Sequence, residues 1–341
     1  MSNKINFRAA FLLCFSLCFG IVIVWRNYVI VIGQTVKPVL VALNKNEASL
    51  TIIDPKDMKV LGKVATGDAP HEVVLSSDGR TAYVANYGAQ TPGSTLSIID
   101  LEAKKEVRRV DLAPLLRPHG LVETGGKIYF TSETNRLIGR YDPATNRVDW
   151  LMGTGQNATH MIVVTPDQKR IYTANIASDS VTAYEFPENG NPPKPSKMTH
   201  IPVGKAPEAI DIAPDGKEVW VGLNAEGAID VVDTSAGKVS EKIKLGGRPY
   251  RVKFSPDGRQ VFATMPDAKE IIVIDSATKK EIKRIKLESV PLGIVFSKDG
   301  KTAFVSAVQN DYVLKIDLEK NETVSKVATG QAPDGVAVAG I

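Results

Sequence analysis

A unit of about 42 residues recurs along this 341-residue chain, and a repeat of that period leaves few folds open. Each copy has a Pro-containing entry, a short apolar run, a tight turn, and two further runs, the second ending on an acid. The clearest copies, 206–247, 248–288 and 289–330, contain APEAIDIAPDGKEVWVGLN…IDVVD, RPYRVKFSPDGRQVFATMP…IIVID and VPLGIVFSKDGKTAFVSAV…VLKID. Copies at 68–116, 117–155 and 156–205 are looser but in register. The closing acids are Asp54, Asp100, Asp142, Glu185, Asp233, Asp275 and Asp317, spaced 42 to 48 residues apart.

The runs alternate with period two or are β-branched throughout, as in Ile271-Ile272-Val273-Ile274, which makes them strands. Turns at 214–216, 256–258 and 298–300 carry Pro-Asp-Gly or Lys-Asp-Gly, where glycine supplies positive φ. Several short strands per unit of this length are the signature of a β-propeller. Six full units run from 68 to 330. What is left over is 39–67, which lacks an inner strand, and 331–341, which is only an inner strand. Joined, the two pieces make one more blade and remove the free edges of the ring. The sequence thus predicts an all-β, seven-bladed β-propeller closed by N- and C-terminal strands that share one blade.

Tyr83-Val84-Ala85-Asn86 and Tyr172-Thr173-Ala174-Asn175 occupy the same position of the repeat. Trp220-Val221-Gly222, Phe262-Ala263-Thr264 and Phe304-Val305-Ser306 are degenerate versions. On these motifs the chain resembles the bacterial YVTN-repeat β-propellers, from about 38 to 341. The resemblance implies the fold. Proteins of that kind resemble surface-layer, binding and lactonase-like proteins, and a fold does not name an activity.

In a propeller, the loop entering the inner strand and the loop joining the second and third strands share one face around the central channel. The residue after each entry proline, or its equivalent, should therefore approach the channel mouth. In order these are His71, His119, His160, Glu208, Tyr250, Leu292 and Asp334. Three of the chain's four histidines fall at this one repeat position in consecutive blades. Three neutral imidazoles suit Zn²⁺, Cu²⁺ or Ni²⁺, and Glu208 is a candidate fourth ligand or a general base beside a bound water. The plainer account is a set of polar side chains lining a wet pore, inherited from an ancestral Pro-His-Gly entry still present at 118–120. The loop 86–95 is longer than its counterparts and stands beside the His71 blade as a candidate lid. The proline-rich insertion 187–197 should emerge on the opposite face as an extended, solvated loop.

The net charge is only +4, without a Lys/Arg block, so nucleic acid gets no electrostatic support as a partner. The cysteines, Cys14 and Cys18, both lie near the N-terminus, so the body can form neither a disulfide framework nor a thiolate metal site. Lys4 and Arg8 precede an apolar stretch at 9–24, the layout of an export signal, and this stretch is expected to be helical. Two readings stay open, a cleaved signal and an uncleaved membrane anchor. In both, 1–33 directs export and 34–341 is the propeller, placed in the periplasm or at the cell surface.

No P-loop, dinucleotide fingerprint, G-x-S-x-G or H-E-x-x-H is present. The expected function is that of an exported or membrane-anchored scaffold binding a small ligand or protein at the channel-mouth face, with a divalent metal at the histidines. The alternative is a metal-dependent lyase or lactonase-like hydrolase. On that reading the mouth looks like that of the streptogramin lyases, and Glu208 or Tyr250 would move the proton.

Overall fold

The computed structural model describes residues 36–186 and 194–341 in full, and of 1–35 only the backbone of three short strands. The chain divides into two compact units, Met1–Lys37 and Pro38–Ile341. In the first, Ser16–Leu17, Gly20–Trp25 and Tyr28–Ile32 form an antiparallel sheet, with Ile21 opposite Ile32 and Trp25 opposite Tyr28. This corrects the expected apolar helix: the described parts of the segment are strands. The sequence supplies the reason, because Ile21-Val22-Ile23-Val24 and Val29-Ile30-Val31-Ile32 are β-branched runs whose stiff side chains favour a pleated sheet. Among the described residues no helix is long and apolar enough to cross a membrane.

The second unit is a seven-bladed β-propeller, each blade a four-stranded antiparallel meander. Blade 1 combines Pro333–Ala339 with Val39–Asn44, Ser49–Asp54 and Lys59–Ala65. Blades 2 to 7 follow in chain order, with inner strands Pro70–Leu75, Pro118–Thr124, Thr159–Val164, Pro207–Ile212, Arg251–Phe254 and Pro291–Phe296. Each inner strand touches the next, and the C-terminal strand touches the inner strands of blades 7 and 2, so the ring is closed.

Each blade buries both faces against its neighbours, and the apolar core is seven clusters, one at each blade–blade interface. That is why the middle strands read as unbroken apolar runs: all six residues of Val39–Asn44 and five of six in Glu270–Asp275 are buried. Only the outermost strands are mostly exposed, as in Lys59–Ala65.

The repeated acids have a structural task. Asp54, Asp100, Asp233, Asp275 and Asp317 each accept two backbone N–H groups of the turn that follows, and Asp142 accepts one. The insertion after Glu185 replaces that turn; its residues 187–193 lie outside those described.

Two side-chain devices join blades. The repeat asparagine Asn86 accepts the Gly67 N–H at 3.0 Å, and Asn44 accepts the Gly330 N–H at 2.9 Å, which ties the last blade back to the first. At the preceding repeat position, a hydroxyl bridges neighbours. Thr131 Oγ1 accepts the Gly120 N–H and donates to His160 O at 2.6 Å, and Ser306 Oγ likewise joins Gly293 N–H to Asp334 O. Inner strands are so close there that a Cβ on Gly120 would stand 2.7 Å from His160 O.

Candidate functional site

The entry-strand position and the first residue of the loop after the second strand do share one face, and together they build a cup at the channel mouth. The entry position supplies His71, His119, His160, Glu208, Tyr250, Leu292 and Asp334. The loop position supplies Lys45, Tyr87, Glu133, Ile176, Asn224, Pro266 and Val308. The two sets meet in pairs. Lys45 Nζ lies 3.3 Å from Asp334 Oδ2, the Tyr87 ring lies 4.7 Å from His71, Glu133 Oε2 is 3.1 Å from His160 Nδ1, and Asn224 Nδ2 donates to Glu208.

The histidines of blades 2, 3 and 4 converge. Ring centroids of His71 and His119 are 5.1 Å apart, and those of His119 and His160 only 3.7 Å, inclined by 32°. Tyr87 closes the cluster edge-on to His119 at 5.2 Å, while its hydroxyl donates to Glu133 at 3.1 Å. Glu208, expected among the ligands, accepts a hydrogen bond from Asn224. Glu133 also stands at the cluster, bonded to Tyr87 and His160. Among the described residues no three His, Cys, Asp or Glu side chains are disposed to hold a metal ion.

Across the mouth, Tyr250 donates its hydroxyl to Asp334 Oδ1 at 3.1 Å, and His71 Nδ1 approaches Asp334 Oδ2 at 3.7 Å. One residue further in, Glu72 of blade 2 pairs with Arg251 of blade 6. This bridge crosses the channel and gives the cup a floor. The Arg251 guanidinium also lies 4.6 Å over the Tyr250 ring.

Burial sets the protonation. It pushes His71 down to about 4, a shift that the Asp334 charge only partly offsets and that Lys45 and Arg251 reinforce. His119 lies well below the ordinary imidazole range, through burial first and the neighbouring imidazoles second. His71 and His119 are therefore neutral at pH 7 and offer nitrogen lone pairs. His119 is 3% exposed, and its buried Nδ1 has no hydrogen-bond partner among the described residues. Burial raises Glu133, but the hydrogen bonds from His160 and Tyr87 and the nearby His160 and Arg117 together outweigh it, so the carboxyl lies below its ordinary range. Tyr250 is pushed well up by burial and by Asp334, which keeps its phenol protonated.

The loop 86–95 folds back on itself. Gly88 N–H donates to Asp68 O, Gly93 N–H to Tyr87 O, and Arg117 N–H to Gly93 O. A Cβ on Gly88, at φ +81°, would stand 2.1 Å from Gly93 N, so glycine is required at this turn. The loop's effect on the site is to deliver Tyr87 onto the histidines.

Tyr87, Glu133, Lys45, Glu72 and Arg251 are the site residues that reading the entry position alone overlooks. The signal for the first three was available: each directly follows the strand that ends in Asn44, Asn86 or Ser132, a repeat position as regular as that of the histidines.

Among known proteins, Antigen Lp49 of Leptospira interrogans is 26% identical over 210 residues, covering 54% of this chain and 44% of that one. The chain thus matches less than half the length of that relative. A functionally unknown protein from Desulfotomaculum acetoxidans superposes with a TM-score of 0.76 at 15% identity, covering 88% of this chain and 98% of the other. A candidate 6-phosphogluconolactonase of Bacteroides uniformis does so with a TM-score of 0.74 at 13% identity, covering 89% and 100%. At such identities the likeness is one of fold. The family model of the YNCE-like β-propellers matches residues 31–339, and the chain belongs to that family.

Proposed function

We propose that this chain is an exported or membrane-anchored propeller that acts by binding, taking a small ligand into the cup at its channel mouth. The observation that carries this is the buried His119 Nδ1, left without a partner among the described residues inside a cluster of three imidazoles. Buried polar atoms are rarely left unsatisfied, and a group arriving from solution would satisfy this one. Export rests on Lys4, Arg8 and the apolar stretch 9–24.

A divalent metal of the zinc, copper or nickel class is the occupant that the donor set favours. His71 and His119 are neutral, which is the form that ligates, and His160 stands 3.7 Å from His119 ring to ring. The stacked rings of His119 and His160 must turn for their nitrogens to converge. Glu133, bonded to His160 Nδ1, would orient that ring as a carboxylate outside the metal shell.

A lyase or lactonase-like activity draws support from the fold shared with the candidate lactonase. The cup gives it less. Tyr250 can donate a proton but not accept one at neutral pH, and Glu208 is engaged by Asn224.

Elemental analysis of the purified full chain after exposure to Zn²⁺, Cu²⁺ and Ni²⁺ tests the metal reading. About one equivalent is expected, falling below about a tenth in His71→Ala/His119→Ala. Less than about a tenth in the unaltered chain would sink it. Ligand binding is read separately, as a thermal shift on screening small molecules that His119→Phe abolishes. A screen in which His119→Phe responds like the unaltered chain removes the cup as the binding site.

A further inference from the structure

On the rim of the cup, a pocket of about 320 Å³ opens between Tyr87, Arg117, Glu133, Thr134, Arg136 and Asn157. Tyr87 belongs to both, since it lines this pocket and touches His71 and His119. Two guanidiniums stand there against one carboxylate, and the carboxylate is already engaged by the Tyr87 hydroxyl and His160 Nδ1. Among the described residues neither guanidinium forms an ion pair, although the Arg117 charge acts on Glu133. Arg117 lies 4.5 Å over the Tyr87 ring, and its Nη atoms reach two backbone carbonyls, Gly88 O and Ala89 O, each at 3.3 Å. The Arg136 side chain has no hydrogen bond or ion pair among the described residues. Arg109, Arg140, Arg248, Arg251 and Arg284 each hold a carboxylate, whereas Arg108 and Arg170 reach a tyrosine hydroxyl and a backbone carbonyl.

We infer that this pocket binds an oxyanion, the carboxylate or phosphate of a small organic ligand whose remainder extends over the histidine cup. Arginine forks match both groups in bidentate geometry, and the Thr134 hydroxyl and Asn157 amide add neutral donors. Arg117 is held in place by the Tyr87 ring and the loop carbonyls, so little freedom is lost when an anion arrives. The inference names the ligand class for the site proposed above and rests on that reading for the ligand's remainder. The anion pocket itself is testable without it.

Isothermal titration of the full chain with inorganic phosphate and, separately, with succinate at low salt reads the pocket directly. One saturable site for at least one probe is expected, weakened about tenfold or more in Arg117→Gln/Arg136→Gln and weakened by added salt. The probe that binds tells phosphate from carboxylate. No saturable binding by either probe overturns the inference, and so does binding that the double substitution leaves unchanged. Arg136→Gln alone, at an exposed side chain, provides the same discrimination if the double variant fails to fold, with a loss of about threefold expected. Anion binding that survives while the cup fails its own tests keeps the pocket and removes the cup.

Discussion

Glu72 and Arg251 meet across the central channel, from blades three steps apart around the ring. Both side chains are largely buried, so each ion is out of water and depends on the other. Burial pushes the Glu72 carboxyl up, and Arg251 offsets that only in part. Arg251 keeps its charge: burial opposes it, but Glu72, Tyr250 and Asp334 together prevail. Breaking the pair from one side should therefore cost far more than replacing both ends. Glu72→Ala is expected to lose about 3–5 kcal/mol and Glu72→Leu/Arg251→Met much less, as read by urea denaturation. Equal losses would mean that the bridge is not a coupled unit.

The imidazoles make the fold sensitive to acid. Below the ordinary histidine value of 6.5, the unfolded chain takes up protons that His71, depressed to about 4, and His119 do not accept when folded. The unfolded state then binds more protons, so stability falls as pH drops from about 6.5 towards 4, by up to about 1.4 kcal/mol per pH unit for each histidine. Urea midpoints measured between pH 7 and pH 4.5 with chelator present should show this slope, and His71→Gln/His119→Gln should flatten it. An unaltered slope in the variant would put the acid sensitivity elsewhere.

Ring closure has a single-residue handle in Asn44. Its amide donates to Ser49 Oγ at 2.8 Å and Thr51 Oγ1 at 2.9 Å while its carbonyl oxygen accepts the Gly330 N–H. Asn44→Ala leaves a buried backbone donor unpaired and should cost about 1–3 kcal/mol. Deleting 333–341 should go further and abolish cooperative thermal unfolding of the propeller. A truncated chain that melts like the intact one would contradict closure by that strand.

The hydroxyl of Thr131 carries the position of His160 from the neighbouring blade. Thr131→Val keeps the volume but strands the Gly120 N–H and His160 O, for a loss of about 1–3 kcal/mol. On the metal reading, retention of added Zn²⁺ should fall along with stability. Retention that stays at the unaltered level would show that the His160 backbone is fixed by other contacts.

The fold was legible because each propeller unit repeats its own grammar. The acids at 42 to 48 residue spacing hold turns, Asn44 and Asn86 tie one blade to the next, and the leftover 39–67 and 331–341 fit together. The histidines were legible for the same reason, as one repeat position in three consecutive copies. What escaped was the partnering of that position with another. Glu133 reaches His160 of the following blade, and Glu72 reaches Arg251 across the ring, contacts that depend on blade geometry and side-chain length. Glu208, placed in the ligand set by its repeat position, accepts a hydrogen bond from Asn224, a partner that the repeat pattern did not point to. At the N-terminus, counting apolar residues hid their β-branching, and the described parts of 16–32 are strands.

Blade 1 imposes an order of assembly on the cell. Val39–Asn44 is among the first propeller strands to be synthesised, and its partner Pro333–Ala339 is the last. At about 5–20 residues per second, tens of seconds separate the two on the ribosome. Throughout that interval a strand of six apolar or uncharged residues has one bare hydrogen-bonding side, the kind of template on which neighbouring chains pair wrongly. A nascent chain is therefore open to mispairing at that edge until Pro333–Ala339 has been made.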